Sequence, residues 1–425
     1  MQIDGSNERH IQVSFFIKNE KEISIPDDVF DVPTTADSEN LNALVNQSIK
    51  QNEDDWTDTK FELLIGETFL RSTLNEFIEE YSVDTEHVVK IECILGLEPP
   101  KPLFDLPAPD WISSVHSFNK YVLATTFNGE ILVWDRKGKK IAQISKDSGT
   151  AYKCSEIITS PKGDSIDGLT LAVSGEKPSI SILEFRGKMA TTLQQLRGHE
   201  RSVSSIATNK DKTRLISGAF DSHLKVWNLQ ESAGSIEKPT ESNDKSKRKK
   251  ENFVTKVPMV TLGGHKDAVV AVKWSAWNDA HCVSASWDHS IAVWDLELAG
   301  EISRIRHSKA FTSIDVHQTT GLVISGSADS IPRLFDTRST EGSLVKQSFV
   351  GHTGWISSVK WHYAQPNVFI SGSFDSVVKL WDIRSSKTSL YDLHGHTDRV
   401  MCVASGDDAT ILSGGADSTV KVFGQ

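Results

Sequence analysis

The chain has 425 residues, 57 Asp and Glu against 46 Lys and Arg, and a formal net charge of −11. Hydrophobic residues at 38% and charged residues at 24% are ordinary for a folded chain and exclude global disorder. Four scattered cysteines, Cys93, Cys154, Cys282 and Cys402, form no CxxC pair, so neither a disulfide framework nor a zinc ribbon is encoded.

That cysteine usage fits a reducing compartment. The N-terminus lacks a basic-then-apolar secretory pattern, and no apolar run approaches the roughly 20 residues that a membrane helix needs. A soluble intracellular protein without membrane contact is expected. The charge is unevenly placed: residues 1–100 carry 22 acidic and 7 basic groups, a net of −15, and the rest carry 35 and 39, a net of +4. Such asymmetry predicts two modules with different partners.

Residues 1–9 read as a disordered N-terminus. Two β-rich runs, 11–17 and 22–26, predict a hairpin by their spacing. Leu41, Leu44, Val45 and Ile49 recur at helical intervals over 37–51, with Asp37 or Ser38 as N-cap. FELLI, TFLR, a short apolar turn in LNEFIEEY and finally VVKIECI complete a ββαββ-type order. Residues 10–97 therefore form a small α+β domain, an arrangement that resembles the ubiquitin-like β-grasp fold. No processed diglycine tail follows, so docking is expected rather than conjugation. The turn 82–92 places Asp84 and Glu86 just before a strand, where an exposed carboxylate can either add to a diffuse steering charge or complete the shell of a divalent cation held by a partner. The bland alternative is a solvated acidic surface.

Residues 98–110 are rich in proline and lead into a repeat array over 111–425. The phrase ISGAFDSHLKVWN recurs as VSASWDHSIAVWD, ISGSADSIPRLFD, ISGSFDSVVKLWD and LSGGADSTVKVF, with looser copies at 122–135 and 171–185. The closing aromatics Trp134, Phe185, Trp227, Trp294, Phe335, Trp381 and Phe423 are spaced by 51, 42, 67, 41, 46 and 42 residues. This is the period of WD-repeat propeller blades, with Gly-His pairs at 198–199, 264–265, 351–352 and 395–396 as the second mark. The predicted fold class is mainly β, a seven-bladed WD-repeat β-propeller preceded by an α+β ubiquitin-like β-grasp domain. Because the seventh unit stops after its third strand, 102–109 is expected to lie along the last blade and close the ring.

In WD-repeat proteins the His of the Gly-His pair resembles one corner of a hydrogen-bonded set. Here the sets are His199, Ser217, Asp221 and Trp227; His265, Ser284, Asp288 and Trp294; His352, Ser371, Asp375 and Trp381; and the incomplete His396, Ser413 and Asp417, closed by Phe423. A hydrolase triad uses the same residue types. Repetition at a fixed blade period argues for a folding device instead, and no phosphate loop, HExxH or calcium loop offers another chemistry. No catalytic residue, intrinsic metal, cofactor or small-molecule substrate is expected.

Residues just before each turn Asp, and third after each Gly-His, surface on one end of such rings. Phe220, Trp287, Trp355, Phe374 and Arg399 stand there, with Ala328, Ala416, Ser202 and Ala268, and Phe, Trp and Arg of this kind are the candidate interface. The polar segment 231–256 reads as a disordered basic insertion; its Lys245, Lys247, Arg248, Lys249 and Lys250 resemble a nuclear localisation signal and suit RNA phosphates.

An acidic ubiquitin-like head, a Pro-rich linker into DWISSV, and seven units ending in GHTGWISSVKW, SGSFDSVVKLWDIRS, SLYDLHGH and LSGGAD together resemble the WD-repeat ribosome-biogenesis factor of the PeBoW complex. The resemblance implies a nuclear, nucleolar and nucleoplasmic adaptor in large-subunit assembly and rRNA maturation. Its propeller would bind a block-of-proliferation-type WD-repeat scaffold that also carries pescadillo. Its head would dock on the metal-ion-dependent adhesion site of midasin, an AAA ATPase that strips the complex from the pre-60S particle. The family's metal-reaching acid corresponds to Glu86, with Asp84 as alternative because Asp84-Thr85 replace two serines. A second reading is a propeller that receives substrates for a ubiquitin ligase or serves as a signalling scaffold.

Overall fold

The computed structural model describes residues 9–18, 23–53, 55–145, 149–161, 163, 165–230, 253–338 and 345–424. The N-terminal stretch expected to be disordered, except Arg9, and the lysine-arginine run Lys245 to Lys250 lie outside these residues. The chain divides into two compact units, one of residues 1–99 with 384–389 and the other of 100–383 with 390–425. No helix among the described residues is long and apolar enough to cross a membrane.

The first unit is a five-stranded sheet with two helices. In chain order these are β1 (His10–Phe16), β2 (Val29–Pro33), α1 (Ser38–Lys50), β3 (Phe61–Ile65), β4 (Thr68–Phe69), α2 (Leu74–Tyr81) and β5 (Val89–Leu95). The strand order is β2-β1-β5-β3-β4, with β1 and β5 parallel and the other pairs antiparallel, which is the β-grasp arrangement. Asp37 caps α1 by accepting the Glu39 and Asn40 N–H groups at 3.1 and 2.9 Å. The helix then buries Leu41, Val45 and Ile49 in one cluster with Val13, Phe15, Phe61, Leu63 and Ile91 of the sheet.

Two expectations for this unit are corrected. The hairpin partner of β1 is Val29–Pro33 and not 22–26, because Phe30 and Val32 fall opposite Val13 and Ile11, whereas Pro26 lacks the donor a ladder requires. Ile23 and Ile25 pack on the core without pairing. LNEFIEEY is a helix of 8 residues, not a turn, started by a capping box in which the Thr73 side chain and Glu76 satisfy each other's backbone N–H.

The second unit is a propeller of seven sheets among the described residues. Each is an up-and-down meander, and its first strand packs against the first strand of the next blade, with the seventh returning to the first. Those first strands are Ile112–Phe118, Tyr152–Thr159, Val203–Thr208, Val269–Trp274, Phe311–Val316, Ile356–Trp361 and Val400–Ser405. Blades approach closely because the second strand offers a glycine: a Cβ on Gly218 would sit 2.6 Å from a methyl of Val269 in the following blade.

The outermost strand of blade 7 is β6 (Lys101–Pro107), antiparallel to Thr419–Gly424. Pro102 and Pro107 are tolerated there because an edge strand needs donors on one side only. Lys421 donates to Asp105 at 2.7 Å across the seam, and Leu106 packs with Ile112, Val420 and Val422.

The insertion 231–256 is not loop throughout. Val254–Lys256 runs parallel to Met189–Arg197 and gives blade 2 a fifth strand. Lys256 is 3% exposed, and its ammonium donates to the carbonyls of Asn228 and Gln230 at 3.0 and 2.6 Å, which makes this lysine a fastener and not part of a solvated basic run.

Candidate functional site

Three blades each hold a complete buried set. His199 Nδ1 lies 2.8 Å from Asp221 Oδ2 and its Nε2 lies 2.7 Å from Ser217 Oγ, while the Trp227 indole N–H donates to the same hydroxyl at 2.9 Å. The corresponding distances are 2.8, 2.7 and 2.7 Å for His265, Asp288, Ser284 and Trp294, and 2.8, 2.7 and 2.8 Å for His352, Asp375, Ser371 and Trp381. Asp accepts the proton on Nδ1, so Nε2 accepts the Ser proton and the Ser oxygen accepts from Trp. Every buried polar atom of the set is thereby satisfied. The glycine before each His lets the indole edge approach: a Cβ on Gly264 would stand 2.8 Å from Trp294.

Ser217, Ser284 and Ser371 are wholly buried and each is already engaged from two sides, so no substrate carbonyl reaches them. Burial works upward on Asp221, yet hydrogen bonds from His199 and the Glu200 N–H and the charge of His199 pull its carboxyl down to about 2. Burial holds His265 below the ordinary imidazole range. These groups act as fixed braces between blade tip and blade core.

Other blades depart from this set. In blade 7 His396 reaches Asp417 and Ser413 at 2.9 and 2.8 Å, but Phe423 offers no indole donor. In blade 5 His307, four residues before Phe311 as His265 is before Val269, accepts the Lys309 N–H at 3.2 Å; Arg333 bonds Asp329 and the Ser327 hydroxyl, both at 2.8 Å, and the buried Ser325 Oγ has no hydrogen-bond partner among the described residues. In blade 4 Arg304 adds a fifth member, donating to Ser290 Oγ at 2.8 Å and Asp288 at 3.3 Å.

The end of the ring where the first strands begin carries paired aromatics and cations. Phe220 and Trp287 meet edge to face at 5.1 Å, with Lys153 Nζ 4.3 Å from the Phe220 ring centre and donating to Ser202 at 3.0 Å. Across blades 6, 7 and 1, Trp355 stacks on Phe374 at 6.2 Å, and the Arg399 guanidinium stands 5.4 Å from Phe374 and 5.2 Å from Trp111. Trp355, Trp287, Trp111 and Phe374 are exposed, and Phe220 is half-buried. Of the alanines at equivalent positions, Ala268 and Ala416 are buried and present no side-chain surface.

In the first unit, helix α2 ends on Ser82, a left-handed residue with φ of 52°, which turns the chain into the acidic segment. Asp84 Oδ1 accepts the Glu86 N–H at 2.9 Å and Oδ2 lies 3.0 Å from His87 Nδ1. The bond from the Glu86 backbone, and then that to His87, hold the Asp84 carboxyl below the usual range. Arg9 donates to Thr85 Oγ1 at 2.8 Å. Glu86 is exposed on the turn so formed. Among the described residues no group of three His, Cys, Asp or Glu side chains is placed to hold a metal ion.

The family model for the NLE (NUC135) domain matches residues 11–78, and that for the WD domain, G-beta repeat, matches 190–228, 256–295, 343–382 and 387–424. The ribosome biogenesis protein WDR12 homolog of Caenorhabditis briggsae is 46% identical over 438 residues, covering 100% of this chain and 98% of its own. The chain belongs to the family of WDR12 homologs. Its Brugia malayi relative of the same name is 43% identical, over 94% of this chain and 92% of its own, and that of Aedes aegypti 30%, over 100% and 97%.

The four WD segments matched in this WDR12-family chain are the blades that carry the His–Ser–Asp set. Trp111 and Lys153 were not singled out from sequence, because neither follows a Gly-His pair; their place at the start of the first strands of blades 1 and 2 was the available signal. Arg304 and Arg333 carried no such signal, since each enters its set from a different strand position than the His of the Gly-His pairs.

Proposed function

We propose that this chain is a non-enzymatic adaptor in large ribosomal subunit biogenesis, acting in the nucleolus and nucleoplasm on pre-60S particles during rRNA maturation. Full-length relatives named ribosome biogenesis proteins support the process. In this reading the aromatic end of the propeller binds a block-of-proliferation-type scaffold, through which pescadillo joins, and the first unit docks on midasin for ATP-driven release of the complex.

One observation carries the division of labour at the head. Asp84 has both oxygens engaged within its own turn, whereas Glu86 stands exposed on that turn with its backbone fixed. A hard divalent cation held by the partner takes a carboxylate oxygen, so Glu86 is the ligand and Asp84 is its positioning residue. No cofactor of the chain itself is needed.

The test is Mg-dependent capture of midasin by the full-length chain. Capture lost on adding a chelator and in Glu86→Ala, with thermal stability unchanged, is expected. A soluble Glu86→Ala protein that captures midasin as wild type does would overturn the assignment.

A further inference from the structure

The first strands of the seven blades enclose a polar cavity of about 480 Å3. Its wall carries three lysines, Lys153, Lys273 and Lys360, against a single acid, Glu156. Lys273 and Lys360 come from blades 4 and 6 and converge on one atom of blade 5: Asp315 Oδ1 is 3.6 Å from the first ammonium and 3.3 Å from the second. The Asp315 side chain is 7% exposed, and its other oxygen accepts the Trp361 N–H at 2.9 Å.

One carboxylate oxygen thus serves two ammonium groups, each with three donors. Glu156 also faces these lysines, but it is shared with Lys212 at 3.3 Å and accepts the Thr208 hydroxyl at 3.1 Å, so three ammonium groups, Lys212, Lys273 and Lys360, stand against two carboxylates, Glu156 and Asp315. Two hydroxyls on the same wall point to the same chemistry. Ser313 Oγ accepts the Val359 N–H at 3.3 Å and Ser358 Oγ accepts the Val403 N–H at 3.2 Å, which leaves each hydroxyl hydrogen to donate.

Like charges held this close repel strongly where water is scarce. The neighbouring Lys360 charge, and then burial, hold Lys273 below the ordinary lysine range, while Asp315 holds Lys360 above it. Interior ion pairs are tolerated when charges match and donors are filled; here a positive charge and several donors are left over. A counter-anion with several oxygens would satisfy both.

We propose that the central cavity binds a phosphate group of a small phosphorylated ligand, held by Lys273 and Lys360 with the Ser313 and Ser358 hydroxyls as neutral donors. A tetrahedral dianion offers more acceptor oxygens than a carboxylate and matches donors arriving from blades 4, 5 and 6. Asp315 holds both ammonium groups at one side of the cavity and competes with the anion for them.

The experiment is calorimetric titration of the full-length protein with inorganic phosphate and with pyrophosphate, against sodium chloride at equal ionic strength. Saturable binding of either phosphate and none of chloride is expected. Lys273→Met and Lys360→Met should each weaken it at least tenfold, Lys360→Arg should retain it, and Asp315→Asn should tighten it. Thermal scans in chloride should show both methionine variants folded, because each removes one of the two repelling charges. Heats equal to those of chloride, or phosphate affinity unchanged in both methionine variants, overturn the proposal.

Discussion

Asp84 Oδ1 accepts the backbone N–H of Glu86 at 2.9 Å, so the first acid of the head turn builds the platform for the second. The two acids should therefore fail differently. Glu86→Ala should remove partner binding and leave the melting temperature of the head unchanged. Asp84→Ala should lower that temperature slightly and weaken binding only partly, because the Glu86 carboxylate remains but its direction is no longer fixed. Parallel thermal scans and pull-downs check both.

Two serines at equivalent positions should respond oppositely to the same change. Ser371 joins His352 and Trp381, so Ser371→Ala leaves two buried polar groups without a partner and should cost about 2–4 kcal/mol. Ser325 in blade 5 is buried with no hydrogen-bond partner among the described residues, and Ser325→Ala should be neutral or stabilising by up to about 1 kcal/mol. Urea midpoints at constant slope measure the difference.

Acidification should destabilise the propeller over two pH ranges. Burial depresses His265 and His396 below the ordinary 6.5, so the unfolded chain takes up protons first, and stability falls as pH drops below about 6.5. Asp221 has a folded value of about 2 against 3.8, so its contribution is present above about 3.8 and is lost as pH falls towards 2. Melting temperature followed from pH 7.5 downward should bend near both values, and a flat profile between pH 7.5 and 5.5 would contradict the first.

The aromatic end of the ring should dominate binding of the proposed scaffold. Trp355→Ala and Arg399→Ala should each weaken it at least about tenfold with little change in melting temperature, as expected of exposed Trp and Arg anchors. Leu298, exposed in a turn between third and fourth strands and so at the opposite end, is the control: Leu298→Ser should bind as wild type does. Equal losses in all three would remove the assignment.

Much of this was legible because repetition makes a polar set conspicuous. His, Ser, Asp and Trp recur at one spacing, and a spacing repeated in several blades reports a contact between residues some 20 apart as clearly as an alignment would. Arg333 was illegible for the converse reason: its contact occurs once. The second strand of the head was misplaced because EISIP and VFDVP have similar propensity, and only the register against Ile11 and Val13 separates them. Val254–Lys256 was hidden by its composition, since a lysine at the end of a basic segment reads as solvated until the carbonyls of Asn228 and Gln230 are seen around it. The excess of ammonium groups on Asp315 needs three blades folded together and leaves no trace in any one of them.

The pairing of β6 with Thr419–Gly424 sets a schedule for synthesis. Asp105 leaves the ribosome 316 residues before Lys421, its partner across the seam. Through that interval the apolar groups that will flank the seam, Leu106 and Ile112 among them, are in the nascent chain without Val420 and Val422 to cover them. A chain halted anywhere before residue 419 keeps an open sheet edge that chaperones can recognise, and it becomes a closed ring only once Thr419–Gly424 has been made. Ring closure is thus a late event in synthesis, set by the more distal of the two seam strands.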